Sequence, residues 1–232
     1  MLAFRSHASS SKGNLHEITD GETTILLDCG LPWKKVQELL EFKTSDIAAI
    51  CLSHEHKDHS KGIADAAKRG IDCYALPETF EALNLKGHRF HPIDLAKQFN
   101  IGTFRVRAFS LEHDVPNAGF LLTNQVNEKA LYITDSYYCE YRFGAGLRII
   151  AVECNYSIDT LDPDIHPAVK NRLYKSHFEL GNLKKFLQAN DLSQVQEIHL
   201  LHLSGKNSDA EGFKREIQQL SGAPVYILGD GD

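Results

Sequence analysis

No apolar run in this sequence is long enough to span a membrane. The N-terminus, Met1-Leu2-Ala3-Phe4-Arg5-Ser6-His7, lacks the long apolar core of a secretory leader. The expected location is therefore the cytoplasm, with no membrane association. Basic residues are in the minority. Lys and Arg number 25 against 31 Asp and Glu, a net charge of −6 with His neutral. That excludes a generally basic nucleic-acid coat and leaves room only for a local patch. Cysteine is scarce as well. The five thiols, at positions 29, 51, 73, 139 and 154, are odd in number and form no Cys-x-x-Cys pair. Cys51 and Cys73 fall within apolar runs, where cysteine behaves as a small buried hydrophobe. A reduced, cytoplasmic setting follows. Repeats, linkers and low-complexity tracts are also missing. With 232 residues, 42% of them hydrophobic, one domain over residues 1–232 is the simplest organisation.

What the chain does have is concentrated chemistry. Ser53-His54-Glu55-His56-Lys57-Asp58-His59 packs three imidazoles and a carboxylate into six residues, as His-x-His-x-Asp-His. The apolar run Ile47 to Leu52 before it has the length of a buried strand. Ser60 after it is placed to cap a helix over Lys61 to Arg69, with Gly70 as the stop. The motif therefore sits on a loop between a strand's C-terminal end and a helix. Such a loop can aim His54 and His56 at one point, and Asp58 and His59 at another nearby. Mixed imidazole and carboxylate ligands suit borderline divalent ions such as Zn²⁺ or Mn²⁺.

Strands outnumber helices along the rest of the chain. Leu2 to Arg5 reads as an opening strand and Ala8 to Asn14 as a polar turn. Leu15 to Ile18 and Thr23 to Leu27 form a hairpin around Asp20-Gly21. Pro32 opens a helix to about Phe42, and Cys73 to Leu76 is a strand before a short helix at Pro77. Thr103 to Phe109 alternates as a half-exposed strand. Gly119 to Thr123 and Ala130 to Thr134 pair, and Leu147 to Glu153 is a buried strand. Residues 155–175 read as irregular. Leu180 to Ala189 is helical, Val195 to Leu203 a strand, Asp209 to Leu220 an amphipathic helix and Pro224 to Leu228 a last strand. Antiparallel pairs come early and β-α-β units late.

The histidine motif resembles the signature of the metallo-β-lactamase fold hydrolases. That resemblance implies a mixed α/β (α+β) fold, a four-layer αββα sandwich with a one- or two-metal site at one edge. Carried over residue by residue, it implies His54, His56 and His113 on one metal and Asp58, His59 and His202 on a second, with Asp135 bridging. Asp28 resembles the acid that supports the metal loop. A finer resemblance is to the WalJ/YycJ-type, 5′-exonuclease-like branch. It rests on Ala8-Ser9-Ser10-Ser11-Lys12-Gly13-Asn14, Ser110-Leu111-Glu112-His113-Asp114, Thr134-Asp135, Glu153-Cys154-Asn155 and His202-Leu203-Ser204. Ser10 replaces a glycine of that branch, and Ser176-His177-Phe178 departs from its Gly-His segment. Ribonuclease Z is a second relative, but its tRNA-gripping arm has no room between His113 and Asp135 here.

The resulting expectation is a dinuclear metal-dependent phosphodiesterase that activates water on its metals, a DNA exonuclease by the finer resemblance. Asp58, His177 and Glu153 are the expected catalytic residues, His177 as a proton donor oriented by Glu153. Ser11, Asn14, Lys57 and Lys206 are the expected substrate contacts. The alternatives are a hydrolase of RNA, a cyclic nucleotide or a thioester on the same fold, and a metal-stabilised binding protein without turnover.

Overall fold

The structure is a computed structural model. It describes residues 1–95 and 97–228, with Leu228 as backbone only. Two sheets face each other. The first is built in chain order from β1 (Ala3–Ser10), β2 (Gly13–Thr19), β3 (Thr24–Leu27), β4 (Ile47–Cys51), β5 (Asp72–Ala75) and β6 (Phe90–Pro92). The second contains β7 (Gln98–Ile101), β8 (Phe104–Leu111), β9 (Asn117–Thr123), β10 (Lys129–Ile133), β11 (Leu147–Glu153), β12 (Glu197–Leu201) and β13 (Val225–Leu228). Each sheet is antiparallel at its start and parallel at its end. Pairing turns parallel at β3–β4 in the first and at β10–β11 in the second.

Three apolar layers hold this arrangement. Between the sheets, Ile18, Ile25 and Cys51 meet Phe104, Val106, Phe120, Leu122 and Ile149. Outside the first sheet, α1 (Trp33–Leu39), α3 (Ile63–Lys68) and α4 (Pro77–Ala82) press Trp33, Val36, Ile63 and Phe80 onto Leu26, Ile50 and Cys73. Outside the second, α6 (Leu180–Gln188) and α7 (Ala210–Ser221) press Leu183, Phe186, Phe213 and Ile217 onto Ile150, Val152 and Ile198. Each such fully buried side chain contributes about 1.5–3 kcal/mol. The αββα sandwich expected from the sequence is therefore the observed one. Among the described residues no helix is long and apolar enough to cross a membrane.

Four local expectations need correction. The polar segment at residues 8–14 is mostly strand, because β1 and β2 pair through Ser10↔Gly13 and leave only Ser11-Lys12 as the turn. The helix after the histidine motif starts inside it. A single turn, α2 (Lys57–Ser60), already contains Asp58 and His59, and the Ser60 hydroxyl donates to Glu55 O instead of capping. Strands β6 and β7 were not anticipated, being three and four residues long. Residues 155–175 are not irregular throughout, since α5 (Pro167–Ser176) lies there. Only Ser176 of α5 is buried, so the helix shows little of the apolar stripe by which helices are read.

Candidate metal centre

The ligand-type side chains gather at one edge of the sandwich, where strands of both sheets end. His54, His56, Asp58 and His59 follow β4, His113 follows β8, Asp135 follows β10, and His202 follows β12. Asp28, Asp135 and His202 each sit just past a strand with positive φ, at 62°, 47° and 52°. In that left-handed conformation the chain turns sharply. Asp and His tolerate it better than most residues.

Three overlapping groups have ligand atoms within 4.8 Å of one another: His54, His56, His113 and Asp135; Asp58, His59 and Asp135; and Asp135, Glu153, His177 and His202. Asp135 belongs to all three. Its Oδ2 lies 3.6 Å from His54 Nε2 and 3.1 Å from His59 Nε2, and its Oδ1 lies 3.0 Å from His202 Nδ1. The structure thus brings the other six expected ligands around the Asp135 carboxylate. His202 falls in the group with Glu153 and His177, and not in the group with Asp58 and His59.

Hydrogen bonds orient His54 and His59. Asp28 is fully buried and accepts from the Ser53 amide at 2.7 Å, the Ser53 hydroxyl at 3.0 Å, His59 Nδ1 at 2.7 Å and the Tyr132 hydroxyl at 2.6 Å. His54 Nδ1 donates to Ser53 Oγ at 2.9 Å. These bonds fix the ring orientations and turn both Nε2 atoms toward Asp135 Oδ2, where a metal would bind. His54 Nε2 is buried and has no hydrogen-bond partner among the described residues, as an atom awaiting a ligand bond would be. Burial holds His54 well below the ordinary histidine pKa and also lowers His113, which keeps both in the neutral, ligating form. Burial alone would lower His59 too. Asp135 and Asp28 outweigh it and push His59 up to about 10, so these carboxylates favour positive charge at this ring. The donor set fits divalent metal ions on these observations.

Beside this group lies a Glu–His pair. Glu153 is fully buried. Its Oε1 accepts from His177 Nδ1 at 2.6 Å and His202 Nδ1 at 3.0 Å, and its Oε2 from the amides of Ser136 at 3.1 Å and Phe178 at 3.2 Å. Burial opposes charge on His177, but Glu153 prevails and holds its pKa above the usual value. Burial likewise opposes charge on Glu153, and His177 keeps its carboxyl below the usual range.

A cavity of about 210 Å³ opens onto the centre, lined by Ser11, His56, Asp58, His113, Asp135, His177 and His202 together with Val169, Arg172 and Leu173 of α5. Of the expected substrate contacts, Ser11 lines this cavity, while Lys57 and Lys206 are exposed. Asn14 is instead buried, and its amide nitrogen donates to Ser10 O at 3.1 Å and Asp58 O at 3.3 Å and lies 3.0 Å from His59 Nε2. Sequence reasoning missed Tyr132 and Ser53, which support Asp28, and Val169 and Leu173 of α5 over the cavity; Arg172 beside them is one of the basic residues that the sequence places near the site loops. Asn117 and Asn155 were missed too. Asn117 donates to Thr134 O and Asp135 O, and Asn155 to His202 O. No local pattern marks them. His88 is exposed, and His91 pairs with Asp72 at 2.9 Å, away from this edge.

A two-sheet sandwich with a convergent His and Asp centre at one edge, open to a cleft, defines a metal-dependent hydrolase. Residues 23–196 match the family model described as the β-lactamase superfamily domain, and the chain belongs to that family. It is 28% identical to the exodeoxyribonuclease YycJ of Bacillus anthracis, over 99% of this chain and 92% of that protein. It is 27% identical to the exodeoxyribonuclease WalJ of Streptococcus pneumoniae, over 95% of this chain and 88% of that one. Among solved structures, the metallo-β-lactamase fold protein YhfI from Bacillus subtilis superposes with a TM-score of 0.73 at 17% identity, covering 100% and 98% of the two chains. That last likeness shows the fold alone.

Proposed function

We propose that this protein is a dinuclear metal-dependent phosphodiesterase that degrades DNA from an end. The observation that carries the reading is Asp135, which belongs to all three ligand groups, its Oδ2 near His54 and His59 and its Oδ1 near His202, as a carboxylate shared by two ions would. In the proposal His54, His56 and His113 would hold one ion, Asp58, His59 and His202 the other, and Asp135 would be shared by both. Zn²⁺ and Mn²⁺ suit this mix of imidazole and carboxylate. When bound, two such ions supply a water of lowered pKa and offset charge on phosphoryl oxygens.

The chain's own residues do the remaining work. Asp58 reaches into the cavity, where it can steer the attacking water as well as ligate. His177 donates Nδ1–H to Glu153, which directs its Nε2 proton at the departing oxygen. Ser11 contacts the substrate in the cleft, and Lys57 and Lys206 contact phosphates from its surroundings. Asn14 acts on the substrate through the Asp58 turn that it holds. An open cavity supports turnover over a purely structural metal site, which would be closed. The YycJ and WalJ relatives support DNA as the substrate. One folding unit over residues 1–232 and a cytoplasmic location complete the reading, the latter supported by five buried, unpaired thiols.

The test is digestion of DNA labelled at the 5′ or the 3′ end, with Mn²⁺ and Zn²⁺ compared. RNA, bis(p-nitrophenyl) phosphate, a thioester and nitrocefin are assayed alongside. Stepwise release of nucleotides from one DNA end is the expected result. Efficient turnover of nitrocefin or the thioester, with every phosphodiester intact, refutes it.

A further inference from the structure

Helix α5 carries a charged residue that the mechanism above leaves unused. Val169, Arg172 and Leu173 all line the metal cavity. Their spacing of three and four places them on one side of the helix, and Ser176, the helix's buried residue, continues that side. Arg172 is the charged member of an otherwise apolar or small stripe. Among the described residues its guanidinium has no ion pair and no hydrogen bond, and among the residues lining the cavity it is the permanent cation. The helix's other basic groups are not on this stripe: Lys170 sits over the Tyr174 ring at 5.7 Å, and Lys175 is exposed, as Arg172 itself is. His177 caps the C-terminal end of α5 in extended backbone, so the guanidinium and the proposed proton donor stand five positions apart along the lining of one cavity.

We propose that Arg172 binds the non-bridging oxygens of a phosphate group in the cleft and so selects an anionic diester over a neutral ester. This rests on the phosphodiesterase reading and deepens it. Two divalent ions held by five neutral imidazoles would be formally offset by the carboxylates of Asp28, Asp58, Asp135 and Glu153 around them. Arg172 adds a permanent positive charge that no carboxylate among the described residues pairs with. A charge of that sign attracts a phosphodiester, while an uncharged thioester gains nothing from it. The planar guanidinium matches two phosphate oxygens at once, which a lysine in its place does not.

The experiment measures binding of a fluorescein-labelled single-stranded oligonucleotide with cleavage-resistant phosphorothioate linkages to the metal-loaded protein, across a range of salt concentrations. Arg172→Ala and Arg172→Lys are compared with the wild type, after metal content and melting temperature show that each is intact. Arg172→Ala should weaken binding about 10–100-fold. Its plot of log affinity against log salt should also be shallower by about 0.7, the signature of one lost phosphate contact. Arg172→Lys should keep the salt slope and recover only part of the affinity. A merely structural role would weaken binding without changing the slope. An unchanged slope in Arg172→Ala, or no binding by the wild type, overturns the proposal. Cleavage of ordinary DNA is followed in parallel. If the wild type binds through Arg172 yet hydrolyses no phosphodiester, the functional reading falls and the phosphate site stands. If Arg172→Ala binds and cleaves like the wild type, the reverse holds.

Discussion

Replacing His177 with alanine separates proton donation from metal binding. His177 Nδ1 lies 2.6 Å from Glu153 Oε1, and the side chain is 14% exposed at the cavity wall. Its removal leaves Glu153 with three donors, His202 Nδ1, Ser136 N–H and Phe178 N–H. The buried carboxylate therefore stays solvated by protein, and the metal centre should persist. The lost charge-assisted hydrogen bond should cost about 1.5–3 kcal/mol of stability, a drop in melting temperature of several degrees. Catalysis should suffer more. A positioned histidine acting as general acid contributes about 10²–10⁴-fold. That factor applies only when the leaving oxygen needs a proton. On a DNA phosphodiester, whose leaving alkoxide is strongly basic, kcat should fall by about 10² or more. On bis(p-nitrophenyl) phosphate, whose leaving phenolate is stable without a proton, kcat should fall much less. Elemental analysis should find the wild-type metal content. Loss of one ion, or equal losses on the two substrates, would show that His177 ligates or merely props the fold.

Asp135→Ala should lower the metal content from about two ions per chain and abolish hydrolysis; elemental analysis and a nuclease assay check both. Asp28→Asn removes the charge that orients His59 and should weaken metal affinity by about 10–100-fold, read by competition with a chromophoric chelator. His16 is fully buried, and burial lowers its pKa from 6.5 to about 3. The unfolded chain therefore binds a proton there that the native state refuses. This group's contribution is intact above pH 6.5 and erodes as pH falls toward 3, by about 1.4 kcal/mol per pH unit. In urea unfolding of metal-stripped protein, His16→Leu should lose less stability than the wild type between pH 7 and pH 5; parallel losses would refute the assignment.

Those parts of the molecule whose chemistry is local were legible in the sequence. His-x-His-x-Asp-His after an apolar run located the loop, because strand, turn and ligands are contiguous. The strand ends at His113, Asp135 and His202 were readable only through family resemblance. Nothing local distinguishes a ligating histidine after a strand from a surface one. What brings them together is the placing of β8, β10 and β12 as alternate strands of one sheet, with β9 and β11 between them, facing β4 in the other. Helix α5 was unreadable for a different reason. Its inner face covers a cavity instead of a core, so Val169 and Leu173 flank a charge and the apolar period is broken. Asn14 illustrates the opposite error. A polar residue in a Ser-rich turn suggests substrate contact, yet β2 carries it inward against the Asp58 turn.

Asn14 is one of three buried asparagines that share a geometry. Asn14 Nδ2 donates to Asp58 O at 3.3 Å, Asn117 Nδ2 to Asp135 O at 2.7 Å, and Asn155 Nδ2 to His202 O at 2.7 Å. Because a carbonyl only accepts, each bond also fixes which way the amide is turned. In all three, Oδ1 is buried and has no partner among the described residues, a cost of about 1–3 kcal/mol apiece. Two of the three ligands so held, Asp135 and His202, also occupy left-handed backbone, which costs roughly 1–2 kcal/mol for a residue with a Cβ. Gly30 adds a fourth constraint, since a Cβ there would collide with the Asp58 carbonyl. These costs fall on the backbone of the residues proposed to hold metal, and packing elsewhere in the sandwich offsets them. They are what a centre must bear if its ligands are to be aimed before any ion arrives. A loop of freely rotating histidines would bear none of them, and would have to order itself at the expense of metal affinity.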